Sequence, residues 1–183
     1  MSARLEQFHE RCMRLALREA EKAAAEEEVP TGCVIVERPT DAALEGDGPL
    51  LPRVLGRAHN QTEQLNDPTA HAEMLAITQA CSARGDFRLA DTILYVTKEP
   101  CAMCAGAIVL ARVPTVVVGV SDPKRGGMSV FNILNHPNLI HRAEVVCGVL
   151  EAESLALLQD FFKARRAEAK DARHADCEGA EEK

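Results

Sequence analysis

Between Asp67 and Cys104 the chain carries two short motifs, His71-Ala72-Glu73 and Pro100-Cys101-Ala102-Met103-Cys104. Imidazole nitrogen and thiolate sulfur are the donors that zinc prefers. Cys101 and Cys104 are three residues apart, a spacing that puts them on one face of a helix. Pro100 marks the start of that helix, where unpaired amides and the positive end of the dipole favour thiolate. By itself this C-x-x-C fits a redox pair, half of a structural four-ligand zinc site, or two packed thiols. A redox pair needs no partner histidine, and a four-cysteine site needs a second C-x-x-C, which the sequence lacks. His71, at the start of the preceding helix, supplies a third ligand. One histidine and two cysteines leave the fourth tetrahedral position to water, the mark of a catalytic zinc. Glu73, two residues after His71, is the acidic group nearest to it in the sequence. Spacing alone does not bring it beside the zinc, because two positions on a regular helix are about 200° apart. A glutamate in a first helical turn also serves the helix dipole.

The elements that must position these residues are legible in outline. Residues 2 to 27 read as an amphipathic helix, with Leu5, Phe8, Cys12, Leu15 and Ala16 at helical spacing. The Glu26-Glu27-Glu28 run that closes it reads as a solvated end. Gly32 to Val36 is a near-continuous apolar run, as in a buried strand, and a second strand spans about Val54 to His59. Their direct connection implies an antiparallel pair. Residues 38–52 between them hold three prolines and two glycines, which indicates a long surface hairpin or insertion. Asp67-Pro68 signals a helix start, with Asp67 as N-cap and a run to about Ser82. Thr92 to Thr97 is a β-branched strand, Pro100 to Leu110 a helix, and Thr115 to Val118 a further strand. That succession is a βαβ unit with parallel strands, whose helices begin together at the strands' carboxyl ends. A loop-rich stretch from Ser121 to Arg142, a short strand at Val145-Val146 and a helix from Glu151 to about Lys170 complete the chain. The expected organisation is one domain over 1–167 and an acidic, disordered tail over 168–183.

Composition bounds the function classes. At 183 residues, 46 % hydrophobic, the chain fills one domain with a real core. No apolar run approaches the roughly 20 residues of a membrane helix, and the mixed charges of Met1 to Glu6 do not form a signal peptide. Seven scattered cysteines, an odd number, argue against a disulfide framework and for a reducing compartment, with cytoplasm as the expected location. The net charge of −7 does not exclude RNA. From Glu168 onward six acids face three bases, while bases gather at Arg112, Lys124-Arg125, Arg142 and Lys163/Arg165/Arg166. Phosphate binding requires only such a local patch.

The two motifs together resemble the zinc-dependent cytidine-deaminase-like superfamily. The resemblance implies a three-layer α/β/α fold, with a five-stranded mixed sheet and helices on both faces. It implies one zinc per subunit, held by His71, Cys101 and Cys104. In that family the metal makes water acidic near neutrality, and the glutamate acts as base and then acid without ligating the metal; the resemblance gives that role to Glu73. Within the superfamily the chain is similar, over roughly residues 4 to 167, to the tRNA-specific adenosine deaminases, which convert adenosine to inosine at the anticodon wobble position. The segments that carry this likeness include Glu28-Val29-Pro30, Asn60, Asp67 to Glu73, Leu94 to Arg112, Ser121 to Lys124, and Phe161 to Arg166. It implies that Asn60 hydrogen-bonds the flipped nucleoside, that Val29 lines its pocket, and that Asp122, Lys124, Phe162, Arg165 and Arg166 lie along the RNA. An Asn side chain both donates and accepts, and an aromatic side chain can stack an unpaired base. Of Phe161 and Phe162, one is expected to pack and the other to reach RNA. The implied partners are a tRNA anticodon stem-loop and a second copy of the chain in a homodimer, with no membrane. Residues 38–52 exceed the short hairpin usual in the bacterial homodimeric enzymes, so they could shield an edge, meet a partner or alter tRNA selectivity. Two alternatives stand beside this reading. A deaminase of a free purine such as guanine would share the zinc motifs without needing a basic last helix. A non-catalytic zinc module or inactive partner subunit would be expected to lack Glu73.

Overall fold

A computed structural model describes residues 2–181, with side chains through Lys170. In chain order the elements are α1 (Ala3–Ala25), β1 (Gly32–Glu37), α2 (Asp41–Glu45), β2 (Val54–His59), α3 (Ala72–Arg84), β3 (Thr92–Lys98), α4 (Ala102–Leu110), β4 (Thr115–Val120), β5 (Glu144–Cys147) and α5 (Glu151–Glu181). The five strands form one mixed sheet in the order β2-β1-β3-β4-β5. β1 pairs antiparallel with both β2 and β3, while β3, β4 and β5 run parallel. Every residue of β4 is buried, as are all but the last residues of β1 and β3, which explains why these strands read as continuous apolar runs.

Two apolar layers enclose the sheet. On one face Phe8, Cys12, Met13 and Ala16 of α1 pack on Val34, Val36, Ile93, Tyr95 and Val117. On the other, the small residues Ala72, Ala76 and Ala80 of α3 and Ala105 and Ile108 of α4 pack on Cys33, Ile35, Leu94, Val96 and Val116. Strict alternation of these strand residues between faces is the period-two geometry of a pleated sheet. Approach is closest where α1 crosses β1: a Cβ on Gly32 would sit 2.0 Å from the Ala16 carbonyl oxygen. Only glycine fits there, so this residue sets how near α1 lies to β1 at the motif end of the sheet, where β1 starts.

Three boundaries depart from expectation. Asp67 does not cap a helix. Its Oδ1 accepts from the Thr69 amide at 2.8 Å and the Thr69 hydroxyl at 2.7 Å, which closes a turn, and α3 starts five residues later. The Asp-Pro-Thr signal is shared by turns and helix starts, and here the turn takes it. Residues 38–52 contain the short helix α2. Arg4 Nη2 donates to the carbonyls of Ala43 (3.1 Å) and Gly48 (2.8 Å), fastening this insertion to α1. Arg38, Pro39 and Leu44 share a small cavity with Ile93, Thr115 and Glu144, so the insertion closes the end of the sheet where β3, β4 and β5 begin. The motifs lie at the opposite end. Finally, the α5 backbone continues to Glu181, past the expected end near Lys170. Ala172, Arg173, Ala175, Glu178 and Ala180 in this stretch are strong helix formers. The rest of the expected tail, Glu182 and Lys183 with the side chains from Asp171 onward, lies outside the described residues. Among the described residues no helix is long and apolar enough to cross a membrane.

Candidate active site

Both motif helices begin at the carboxyl end of the parallel strands, and each begins on a residue that does not cap it. His71 is the N-cap of α3 and Cys101 the N-cap of α4, yet neither side chain bonds its own helix. Ser, Thr, Asp or Asn would normally stand there, and their absence costs each helix about 1 kcal/mol. The side chains are turned to one another instead. His71 Nδ1 lies 3.6 Å from Cys101 Sγ and 3.5 Å from Cys104 Sγ, and the two sulfurs are 3.7 Å apart. A tetrahedral ion with zinc–sulfur bonds of about 2.3 Å and a zinc–nitrogen bond of about 2.05 Å requires donors about 3.6 Å (N to S) and about 3.8 Å (S to S) apart. The three atoms are therefore spaced to hold such an ion, and this is the His/Cys group of the described residues that could do so. Proton sharing reflects the same crowding. The contact with Cys104, and then His71, pulls the Cys101 thiol down to about 3, while the same contact and burial push Cys104 up.

His71 has extended backbone (φ −74°, ψ 150°), so it stands outside α3 and the 200° separation from Glu73 on a regular helix does not apply. Glu73, in the first turn, is 3 % exposed, and burial raises its carboxyl above the usual glutamate value. It shares a cavity of about 480 Å³ with His71, Cys101, Val29, Thr31, Asn60, Thr62, Lys98, Glu99, Asp122, Lys124, Arg125 and Phe162. Of the site residues singled out in the sequence, Cys104 is buried behind Cys101, and Arg165 and Arg166 do not reach this cavity. Arg165 pairs with Glu27 at 4.0 Å and Glu168 at 3.5 Å; Arg166 lines an adjoining cleft with Pro123, Leu155, Leu158 and Phe162. Phe162 is 43 % exposed and bridges both spaces, while Phe161 is half-buried and meets it edge-on.

Two walls of the cavity rest on carboxylates that sequence reading passed over. Glu28 was assigned to a solvated run, but it is 1 % exposed. Glu27 takes a left-handed φ of 61°, and the turn it makes directs Glu28 inward. Burial would raise the Glu28 carboxyl, but hydrogen bonds from the Gln64 amide, the Thr62 hydroxyl, the Glu63 amide and Asn60 together hold it below the usual value. Glu99, 2 % exposed, accepts from the amides of Asp122 (2.7 Å), Met128 (3.1 Å) and Ser129 (2.7 Å) and from the Ser129 hydroxyl (3.0 Å). A Cβ on Gly126 would lie 2.1 Å from Glu99 Oε1, so the loop folds directly over this carboxyl. Lys98 pairs with Asp122, whose other oxygen takes the Lys124 and Arg125 amides. Asp122 thus shapes its own loop. The signal available in the sequence for Glu28 and Glu99 is a glutamate one or two residues before a proline at the edge of an apolar strand.

Fold and site together define a deaminase, and the model of the family described as MafB19-like deaminase matches residues 7–166. A curated tRNA-specific adenosine deaminase of Bacillus subtilis (strain 168) is 46 % identical over 163 residues, 88 % of this chain and 92 % of that one. One from Streptococcus pyogenes serotype M1 is 44 % identical, covering 88 % of both chains. A solved structure from studies of A-to-I editing by tRNA:A34 deaminases at the wobble position of transfer RNA is 42 % identical. It aligns with a TM-score of 0.70, covering 81 % of this chain and 99 % of that one. The chain belongs to the tRNA-specific adenosine deaminase family.

Proposed function

We propose that the protein hydrolytically deaminates adenosine to inosine at the wobble position of a tRNA anticodon. The observation that carries the reading is the donor triad of His71, Cys101 and Cys104, spaced for a tetrahedral ion, with His71 and Cys101 lining the same cavity as buried Glu73. When bound, zinc supplies a Lewis acid that lets water ionise near neutral pH. The chain's own residues supply the rest. Glu73 takes a proton from the attacking water and returns it to the amine as the C6–N6 bond breaks, so the products are inosine and ammonia. Burial raises its affinity for protons above that of a solvated glutamate, which suits a group that must take up a proton and hold it until the amine leaves.

Asn60 and Val29, which line the cavity, hold the flipped nucleoside. Phe162, Lys124, Arg165 and Arg166 form the path for the neighbouring nucleotides, with Asp122 holding the Lys124 backbone in place. The rim is basic where RNA would run although the whole chain is acidic. A second copy of the chain completes a homodimer, for which exposed Leu110, Phe131 and Ile140 give apolar surface, and the enzyme works in the cytoplasm. Incubating the zinc-loaded protein with an anticodon stem-loop bearing adenosine at the wobble position, and separately with free guanine, tests the assignment. Inosine in the RNA is expected. Xanthine from guanine with unchanged RNA would overturn it.

A further inference from the structure

Glu28 lies in the wall behind the cavity, and all four of its hydrogen bonds go to the segment that carries Asn60. Its Oε1 accepts from the amides of Glu63 (2.7 Å) and Gln64 (2.9 Å). Its Oε2 accepts from Asn60 Nδ2 (2.9 Å) and the Thr62 hydroxyl (3.1 Å). Four donors fill the accepting capacity of one carboxylate. Asn60 Nδ2 also lies 3.1 Å from Thr62 Oγ1, so the nitrogen end of its amide is anchored in the wall. Its Oδ1 has no protein partner. Among the described residues the sealed, unpartnered side-chain polar atoms are Arg4 Nε and Ser154 Oγ, so Asn60 Oδ1 opens on the cavity.

We propose that Glu28 is a positioning residue for the nucleoside pocket: its carboxylate fixes the Asn60 amide with the nitrogen inward and the oxygen facing the substrate. The inference rests on the deaminase reading above and adds to it a residue that touches no substrate. Physical reasons favour orientation over simple burial. An amide rotated by 180° would set its oxygen against a carboxylate, a like-charged contact, so Glu28 excludes the flipped state. The Glu28 amide donates to the Ala23 carbonyl at 2.9 Å, so the clamp is anchored to the end of α1. The same carboxylate organises the 61–64 turn, so amide and turn are set by one group. Replacing it with glutamine keeps the shape but sets an NH₂ against donors and lets the Asn60 amide rotate.

The test is a double-mutant cycle between Glu28→Gln and Asn60→Ala, measured as kcat/KM on the stem-loop, with free guanine in parallel and metal content recorded for each variant. Glu28→Gln is expected to keep one zinc per chain and lose about tenfold in kcat/KM, the scale of one buried polar group left unpaired. In the Asn60→Ala background it is expected to cost nothing further, because the group it orients is gone. Wild-type rate in Glu28→Gln, or full multiplication of the two losses, would overturn the proposal. Glu28→Asp, which keeps the charge but draws the carboxylate back from Asn60 Nδ2, carries the cycle if Glu28→Gln does not fold. Turnover of guanine alone by the wild type would sink the tRNA assignment while leaving the cycle readable on guanine.

Discussion

His71 and Glu73 serve one site although helical geometry would separate them, because the chain places His71 one residue before α3. As N-cap it has extended backbone and points back over the first turn, where the Cys101 and Cys104 sulfurs meet it. The division of labour this implies is testable one residue at a time. Glu73→Ala removes a proton carrier but no donor of the triad, so the variant is expected to keep its zinc and lose 10²-fold or more in rate, about the contribution of a general acid–base. Cys101→Ala removes a donor, so it is expected to release metal and lose stability, since metal binding and folding free energy are linked. Metal analysis beside a single-turnover assay separates the two; a Glu73→Ala protein that still deaminates at a substantial rate would refute its assigned role. The triad was legible from residue type and spacing. Convergence with Glu73 was not, because it depends on where a helix starts to within one residue, which sequence patterns do not resolve.

At the scale of elements, strands and helices were legible wherever burial wrote the pattern: β1, β3 and β4 as apolar β-branched runs, and α1 by its stripe. The supports of the site were not, because a glutamate that accepts buried amides has the same letter as one in water. Glu99 shows the consequence. It stands between Lys98, which pairs with Asp122, and Pro100, whose carbonyl takes the Gly127 amide at 2.7 Å. Residues 98 to 100 therefore bind the 122–129 loop and hand Cys101 to the donor triad at the end. Glu99→Ala would leave three amides and a hydroxyl without their acceptor and free the loop that carries Lys124 and Arg125. The expected result is retained zinc with a KM for the stem-loop raised about tenfold and kcat changed less, from paired steady-state and metal measurements. Loss of metal with the loop unmoved would show instead that Glu99 serves the cysteine segment alone. The insertion belongs to this scale too. Its place at the far end of the sheet removes it from the cavity, so of the roles open to it, shielding that end fits its contacts.

For the whole molecule the question is how a chain of net charge −7 holds a polyanion. Charge is arranged rather than abundant. Along the cavity rim Lys98 is neutralised by Asp122, and Arg165 lies between Glu27 and Glu168, which leaves Lys124, Arg125 and Arg166 with no ion-pair partner among the described residues. Three bases near single-stranded RNA release few counterions, so log K should fall with log salt at a slope of about −2, shallow for a nucleic-acid protein. Affinity beyond that must come from salt-independent terms: the flipped base in its cavity and stacking on Phe162, worth about 1–3 kcal/mol per base. The two contributions separate by mutation. Lys124→Ala is expected to flatten the slope by about one unit. Phe162→Ala should lower affinity while leaving the slope where it was. Titrations of the stem-loop between low and physiological salt read both. An equal change of slope in the two variants would mean that Phe162 holds the basic rim in place, and that the apolar and charged parts of this surface work as one.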